Sequence, residues 1–237
     1  MSRRERTALR LKRAARHMKP THIIATHLTR RVFEAFADRV GLVYFGYVDQ
    51  RDDDHRLIRG HTVSATHQDN HYCIGSIRGY DVMMVLRNDV VKVPGQSEDQ
   101  RCHWLICTVD LHTRADIPHF YVGHRNRDAV YGASYGRLSP MSIGALGAYP
   151  YQFLSEYTVY GTSTHAIEIE QTFPPQMAAV VASHFQHASF EVQDGTVYLY
   201  IENPRPDGAA LEKMLSNALW VAEAIDTLRA PKPLTEE

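Results

Sequence analysis

Two long segments of the chain repeat apolar residues at helical spacing. The first steps by fours from Ile24 to Val40, and Gly41 then supplies the residue most typical of a helix C-terminus. The second spans about 208–229 and stops before Pro231. Its apolar face consists of Leu211, Leu215, Ala218, Ala222 and Ile225. The pattern therefore predicts a long helix near the start of the folded chain and another near its end.

Between these helices, a region of short apolar runs favours strands. Arg78 and Gly79 separate two of the runs and predict a tight hairpin. The five-residue loop HTRAD separates two others and predicts a second hairpin, in which Leu111 pairs with Ile117. Runs at this spacing are typical of an antiparallel sheet and not of repeated βαβ units. The predicted strands are 42–48, 72–77, 80–87, 102–111 and 117–123.

The last third of the chain mixes both patterns. Residues 153–160 are predicted as a strand. Residues 164–173 stay open, because the sequence IEIE alternates in strand fashion while Thr164 suits the N-cap of a helix. The Pro-Pro pair at 174–175 is typical of a helix start. The Asp-Gly pair at 194–195, between two β-prone runs, is the strongest hairpin signal in the chain.

A segment rich in glycine and tyrosine, 131–151, shows neither the helical spacing of apolar residues nor the alternation typical of a strand. A connection of this length is usually functional or mobile. Its tyrosines suit either stacking on a ligand or anchoring of the loop to the core, and we favour anchoring. These tyrosines are Tyr131, Tyr135, Tyr149 and Tyr151.

Several stretches occur in an order that resembles a known family. RGYDV and WLICTVDL…PHFYVG precede YQFLSEYTVYG, THAIEIE, VQDGTVYLYIEN and MLSNALWVAEAI. Over residues 70–228 the chain resembles a family of bacterial proteins of unknown function with a curved antiparallel sheet and flanking helices. The resemblance implies an α+β fold, favours a helix at 164–172 and supplies no catalytic residues. Members commonly carry membrane segments ahead of this domain, and this sequence contains no such segment.

The composition is that of an ordinary globular protein. The chain has 237 residues, of which 44% are hydrophobic and 22% charged, and this excludes disordered, collagen-like and low-complexity classes. We therefore predict a single α+β domain at 20–237, with an antiparallel sheet packed against three or four helices. A basic helical arm, 1–19, precedes it.

The sequence also bears on location and cofactors. It has no run of about 20 apolar residues for a membrane span and no signal peptide, so we predict a cytoplasmic protein. Cys73, Cys102 and Cys107 form no CxxC pair and are interpreted as reduced, mostly buried thiols. Phosphate-binding and dinucleotide-binding motifs do not occur, so no cofactor is predicted.

Charge divides the chain into two unlike parts. The arm holds eight basic residues and one acidic residue, a net charge of +7, whereas the remainder carries −8. Such an arm suits sequence-independent attraction to nucleic acid, and it suits equally well docking on its own acidic domain or on an acidic neighbour in a homo-oligomer. The basic residues are Arg3, Arg4, Arg6, Arg10, Lys12, Arg13, Arg16 and Lys19.

One motif suggests a serine hydrolase. Ser134 is the central residue of a G-x-S-x-G pattern, and Glu168 with His184 or His187 would complete a triad in chain order. However, the motif follows HRNRDAVY, which is not a buried strand, and precedes RLSP, which does not begin a helix. We therefore interpret the pattern as a chance match.

Histidine and aspartate residues near the predicted second hairpin are candidate ligands for zinc or non-haem iron. In the predicted register Asp110 shares a face with His124, whereas His119 lies on the other face, so the ligands do not converge. No HExxH or C-x₂-C…H spacing occurs either, and we predict no metal site. The four residues considered are Asp110, His112, His119 and His124.

These observations favour a non-catalytic binding or scaffolding protein with a polycationic arm. Its partner would be another protein or a second copy of the chain. Two alternatives stay open. One is a hydrolase that uses Ser134 or a metal held by Asp110, His119 and His124. The other is a nucleic-acid binder of low sequence specificity that acts through the arm.

Overall fold

The computed structural model describes residues 20–46, 68–91, 100–125, 138–185, 187–203 and 205–230. The predicted arm and the G-x-S-x-G motif lie outside these residues. In the described part, nine strands form one open sheet, and every pair of neighbours in it is antiparallel. Five α-helices accompany the sheet. The prediction of an α+β fold built on an antiparallel sheet is confirmed.

The helices are α1 (Pro20–Val40), α2 (Tyr151–Glu156), α3 (Ala166–Thr172), α4 (Pro175–His184) and α5 (Gly208–Arg229), with a 3₁₀ turn at Ser163–His165. The strands are β1 (Val43–Phe45), β2 (Gln68–Ile77), β3 (Tyr80–Val91), β4 (Gln100–Asp110), β5 (Phe120–His124), β6 (Ser139–Pro140), β7 (Tyr157–Gly161), β8 (Ser189–Gln193) and β9 (Thr196–Glu202). Their order in the sheet is β1-β2-β3-β4-β9-β8-β5-β7-β6.

Two predicted hairpins are confirmed, and their turn residues explain why. Arg78 and Gly79 have φ values of 53° and 85°, and Asp194 and Gly195 have 51° and 75°. Type I′ turns require this left-handed conformation at both central positions, and their twist matches that of the strands. The hairpins β2–β3 and β8–β9 follow directly from these dipeptides.

The predicted hairpin between 102–111 and 117–123 is wrong. β4 pairs with β3 and β9, whereas β5 pairs with β7 and β8. The β8–β9 hairpin therefore separates β4 from β5 by three strand spacings, about 14 Å. The nine residues 111–119 between β4 and β5 reach far enough, since an extended chain of that length spans about 30 Å.

The strand predicted at 153–160 begins later than expected. Residues Tyr151–Glu156 form α2, and β7 starts at Tyr157. Phe153 of α2 stacks on Tyr157, the first residue of β7, with ring centroids 5.3 Å apart, and both rings are buried where the helix meets the strand. The segment 164–173, which the residues alone left open, is helical, as the family resemblance implies.

The two faces of the sheet have different compositions. On the helix face, apolar residues of the central strands join side chains of all five helices in one core. Its strand members include Val82, Leu105, Phe120, Val122, Phe190 and Leu199. The tyrosine face, on the other side, holds the buried cluster that includes Trp104, Tyr121, Tyr160, Tyr198 and Tyr200. Alternation along each strand sends neighbouring residues to opposite faces.

Candidate functional site

A cleft lies between α4 and α5. One cavity of about 420 Å³ is mainly apolar and is lined by Pro174, Gln176, Met177, Trp220, Glu223, Ala224, Thr227 and Leu228. A second cavity, of about 430 Å³, is more polar and is lined by Val180, Ser183, His184, Phe185, Lys213, Ser216, Asn217 and Trp220. Because Trp220 lines both, the two cavities adjoin in one cleft.

Trp220 is held in place at the centre of the cleft. It is half-buried, and its ring meets Phe185 edge-on with centroids 5.8 Å apart. A smaller cavity of about 150 Å³ continues from Phe185 to Ala210 on α5. From Ala210 to Leu228 the cleft follows about 27 Å of helix axis. It can therefore accommodate an elongated ligand better than a compact one.

Charges divide the cleft along its length. Lys213 and His184 lie in the polar cavity. In the apolar cavity the carboxylate is Glu223, whose Oε1 accepts from Arg78 Nη1 at 3.2 Å. The polar half is therefore suited to acidic groups on a ligand, and the apolar half is suited to aliphatic or aromatic side chains.

The tyrosine face carries a second polar arrangement, an ion pair buried within the sheet. Arg87 donates from Nε to Asp69 Oδ1 and from Nη2 to Asp69 Oδ2, both at 2.6 Å. Tyr72 Oη also donates to Asp69 Oδ2, at 3.2 Å. Arg87 and Asp69 are 1% and 4% exposed. The bidentate geometry is the arrangement best able to offset burial of two charges.

A β-bulge creates this pair. From the turn as far as Cys73 and Met84, β2 and β3 follow the hairpin register, but the register shifts between Asn70 and Cys73. His71 within the bulge has φ 58°. Without the shift Asn70 would face Arg87, whereas with it Asp69 does. One inserted residue therefore provides the carboxylate that the buried guanidinium needs.

A second carboxylate, Glu191, is fully buried near the centre of the tyrosine face. Its Oε1 lies 2.5 Å from His119 Nε2, and its Oε2 accepts from Tyr200 Oη at 2.9 Å. Burial, followed by the charge of Glu191, raises the pKa of Tyr200 well above its usual 10.0. Both oxygens of Glu191 are therefore occupied by side chains of the protein itself.

The predicted distribution of metal-ligand candidates over the two faces is wrong. Asp110 pairs with Thr196, whose Oγ1 donates to Asp110 Oδ1 at 2.8 Å on the tyrosine face. His119 lies on the tyrosine face, where its Nε2 contacts Glu191. His124 lies on the helix face, as do Phe120 and Val122 of the same strand. The error comes from the pairing of β4 with β5, which does not occur.

These candidate ligands do not meet. β9 and β8 separate Asp110 from His119, and His119 and His124 flank opposite ends of β5. His112 instead stacks on Tyr80 with ring centroids 4.0 Å apart. Within the described ranges, no group of three His, Cys, Asp or Glu side chains is placed to hold one metal ion.

The candidate partners of Ser134 are also separated from one another. Glu168 pairs with His165 Nδ1 at 2.7 Å. His184 ends α4 and is exposed, and His187 Nδ1 lies 3.2 Å from His124 Nε2. Ser134 itself lies outside the described residues.

Two further predictions concern tyrosines and thiols. Tyr149 is buried and its Oη donates to the carbonyl of Phe173 at 2.6 Å, as expected of a residue that anchors its loop, whereas Tyr151 is 85% exposed. Tyr131 and Tyr135 lie outside the described residues. The three cysteines form no disulfide and are buried as predicted. Burial raises the pKa of Cys73 to about 12, so the thiol stays protonated at neutral pH.

The loop after β6 is fixed by a buried carboxylate. Glu170 of α3 is 1% exposed and accepts from the backbone N–H groups of Gly144, Ala145 and Leu146 at 2.9–3.1 Å. Burial alone would raise its pKa, but the three hydrogen bonds outweigh this effect and hold the pKa below the usual 4.5. Glu170 therefore holds the loop in place.

The cleft is not predicted by the sequence patterns, although one feature indicates it. Trp220 and Leu228 lie off the apolar face that was identified on α5, and that face is buried in the core. A large aromatic residue on the outer side of a helix is a common component of binding surfaces. The buried pair of Asp69 and Arg87 was missed as well, because the bulge that creates it leaves no periodicity in the sequence.

No protein-family model matches the chain, and no curated protein matches it. Among the helices that the structure describes, none is both long enough and apolar enough to cross a membrane. One solved structure is similar: the mycobacterial trehalose monomycolate transport factor A, TtfA, with 14% sequence identity and a TM-score of 0.58. The alignment covers 88% of this chain and 98% of that one. The chain therefore shares its largely antiparallel sheet fold with a bacterial protein.

Proposed function

We propose that this protein is a non-catalytic cytoplasmic binding factor that holds an amphipathic helix of a protein partner in the cleft between α4 and α5. The folded part would be one domain, 20–237, of the bacterial family that residues 70–228 resemble. The observation that carries the proposal is the row of neighbouring cavities along about 27 Å of α5, two of which share Trp220.

The shape of the cleft favours a helix as its occupant. A helix of about 18 residues has a length of about 27 Å, which matches the distance from Ala210 to Leu228. Helices that bind in grooves present apolar residues at i, i+3, i+4 and i+7. Trp220, Met177 and Leu228 provide the complementary apolar surface. Acidic residues of the partner would lie near Lys213 and His184.

Binding is favoured over catalysis because the polar side chains of the tyrosine face are engaged with one another. Glu191 is shared by His119 and Tyr200, and Asp69 is held by Arg87. A general base or a metal ligand would have to give up such a bond before acting. The description of TtfA as a transport factor is compatible with a protein of this fold that acts by binding.

Site-specific photo-crosslinking tests the proposal. A photoreactive phenylalanine analogue replaces Leu228, which lines the cleft and is 46% exposed, in cells that produce the protein naturally. The matched control carries the analogue at Tyr151, which is exposed but does not line the cleft. We expect an adduct at Leu228 alone, with a partner peptide that has apolar residues at i, i+3, i+4 and i+7.

A second substitution makes the test specific to the cleft. Trp220→Asp should abolish the adduct formed from position 228 while the melting temperature shows that the protein remains folded. Equal adducts at positions 228 and 151 would refute the proposal. An adduct with lipid or with nucleic acid would refute it as well.

The basic arm supports a second, separable function. We propose that residues 1–19, with a net charge of +7, attract nucleic acid without sequence preference. Fluorescence anisotropy with an unrelated DNA duplex should show binding that weakens steeply between 50 and 200 mM salt, roughly as expected from counterion release. Deletion of 1–19 should abolish it. Unchanged DNA binding and a lower melting temperature after deletion would instead indicate that the arm docks on the acidic domain.

A further inference from the structure

Two histidines from distant parts of the sequence meet at one end of β5. His124 is the last residue of that strand, and His187 lies in the connection between α4 and β8. His187 Nδ1 and His124 Nε2 are 3.2 Å apart, and the ring centroids are 4.7 Å apart. The pair lies on the helix side of the sheet, since His124 shares a face of β5 with Phe120 and Val122.

We propose that His124 and His187 form a binding site for a divalent transition-metal ion such as Zn²⁺ or Ni²⁺. Imidazole nitrogens bind these ions at 2.0–2.1 Å, and two ligands at a tetrahedral angle are then separated by about 3.3 Å. The observed separation of 3.2 Å matches this value. Imidazole is also the ligand type that suits zinc, copper and nickel.

The surroundings hold one ring in place and leave the other accessible. The backbone N–H of His124 donates to Ser189 Oγ at 3.1 Å, and its ring meets Tyr157 edge-on with centroids 5.1 Å apart. His187 is exposed, so an ion can reach the pair from solvent. The neighbouring residue Arg125 donates from Nη2 to the carbonyl of Leu154 at 3.0 Å.

The backbone conformation of His187 indicates that the surrounding structure constrains this residue. Its φ of 67° is in the left-handed region, which costs a residue other than glycine about 1 kcal/mol or more unless its surroundings fix it. Such strain often accompanies binding sites. With two protein ligands, one fewer than in open catalytic zinc sites, the ion keeps two positions for water or for a ligand from another molecule.

Titration calorimetry with ZnCl₂ and with NiCl₂ tests the proposal on the full chain. Because the chain has 14 histidines, the informative result is the difference between variants. His187→Asn removes one ligand, and asparagine tolerates the left-handed backbone. We expect one tight site per chain in the wild type, and an affinity at least 10–100-fold lower in His187→Asn, the loss seen when even an outer-shell partner is removed.

His165→Ala is the matched control, since His165 is also an exposed histidine with a close polar neighbour, Glu168 at 2.7 Å. This variant should keep the tight site. In the wild type, Zn²⁺ should also protect His187 from modification by diethyl pyrocarbonate, detected by peptide mass spectrometry. Equal affinities of the wild type and His187→Asn, or no protection of His187, would show an ordinary hydrogen bond between two imidazoles and overturn the proposal.

Discussion

The helix face and the tyrosine face of the sheet are both buried, yet they are built from opposite kinds of side chain. Along β9, Val197 and Leu199 point into the helix core, whereas Tyr198 and Tyr200 lie in the tyrosine cluster. Among the described residues, no strand places a buried Asp, Glu, Lys or Arg on the helix face. The tyrosine face contains Asp69, Arg87 and Glu191, each at most 4% exposed.

This difference has an energetic consequence. Apolar side chains on the helix face gain stability in proportion to the area removed from water. A buried ion pair contributes little net stability, because desolvation offsets the attraction of its charges, but removal of one partner is costly. We therefore expect the helix face to provide most of the stability and the tyrosine face to favour one register of the strands over others.

The largest loss of stability should follow from removal of one partner of the buried ion pair between Asp69 and Arg87. Arg87→Met leaves the Asp69 carboxylate buried without its guanidinium and should lower the free energy of unfolding by about 3–5 kcal/mol. The double variant Arg87→Met/Asp69→Leu removes both charges and should recover most of this loss. Urea unfolding followed by circular dichroism measures both. Equal losses of unfolding free energy in the single and double variants would show that the stability does not depend on the pairing of these two charges.

On the helix face, a cavity should produce the next largest effect. Leu199 is fully buried between its register partners Cys107 and Phe190. Leu199→Ala should cost about 2–5 kcal/mol, and the volume-conserving Leu199→Met less than about 1.5 kcal/mol. The same unfolding measurement applies. A cost below 1 kcal/mol for Leu199→Ala would contradict the view that this face provides most of the stability.

Local patterns predicted the elements of both faces well. The Asp-Gly turn at 194–195 and the limits of α5 follow from backbone preferences that a few adjacent residues determine. These features need no knowledge of distant contacts. The same is true of Gly41, which ends α1 with φ 80°.

Non-local pairing could not be predicted in the same way. The runs that became β4 and β5 are antiparallel and close in sequence, but the β8–β9 hairpin, about 70 residues further on, lies between them. No local sequence pattern indicates that a distant hairpin lies between these two strands. His124 and His187 come together for a related reason, since 63 positions of chain separate them.

A smaller effect on the tyrosine face should come from Tyr200→Phe. The change removes the Oη donor to Glu191 and should cost about 1.5–3 kcal/mol. Because the pKa of Tyr200 is raised in the folded protein, its contribution is present below pH 10 and is lost as the pH rises through the folded pKa. The variant should therefore lose stability less steeply above pH 10. Tyr151→Phe, at an exposed position, should change neither quantity, and an identical alkaline slope in Tyr200→Phe would contradict the assignment.

The smallest of these effects concerns Glu170, a buried carboxylate on α3. Both carboxylate oxygens of Glu170 accept backbone N–H groups. Glu170→Gln should cost about 1–3 kcal/mol at pH 7, because the amide NH₂ cannot accept such a bond and the amide oxygen accepts less strongly than a carboxylate. The pKa of Glu170 is lowered, so its contribution is present above the unfolded pKa of about 4.5 and is lost as the pH falls through the folded value. The stability of the variant should consequently depend less on pH below 4.5. Glu168→Gln, an exposed neighbour on the same helix, controls for the loss of a charge, and an equal acid response in both variants would mean that the loop is not held by Glu170.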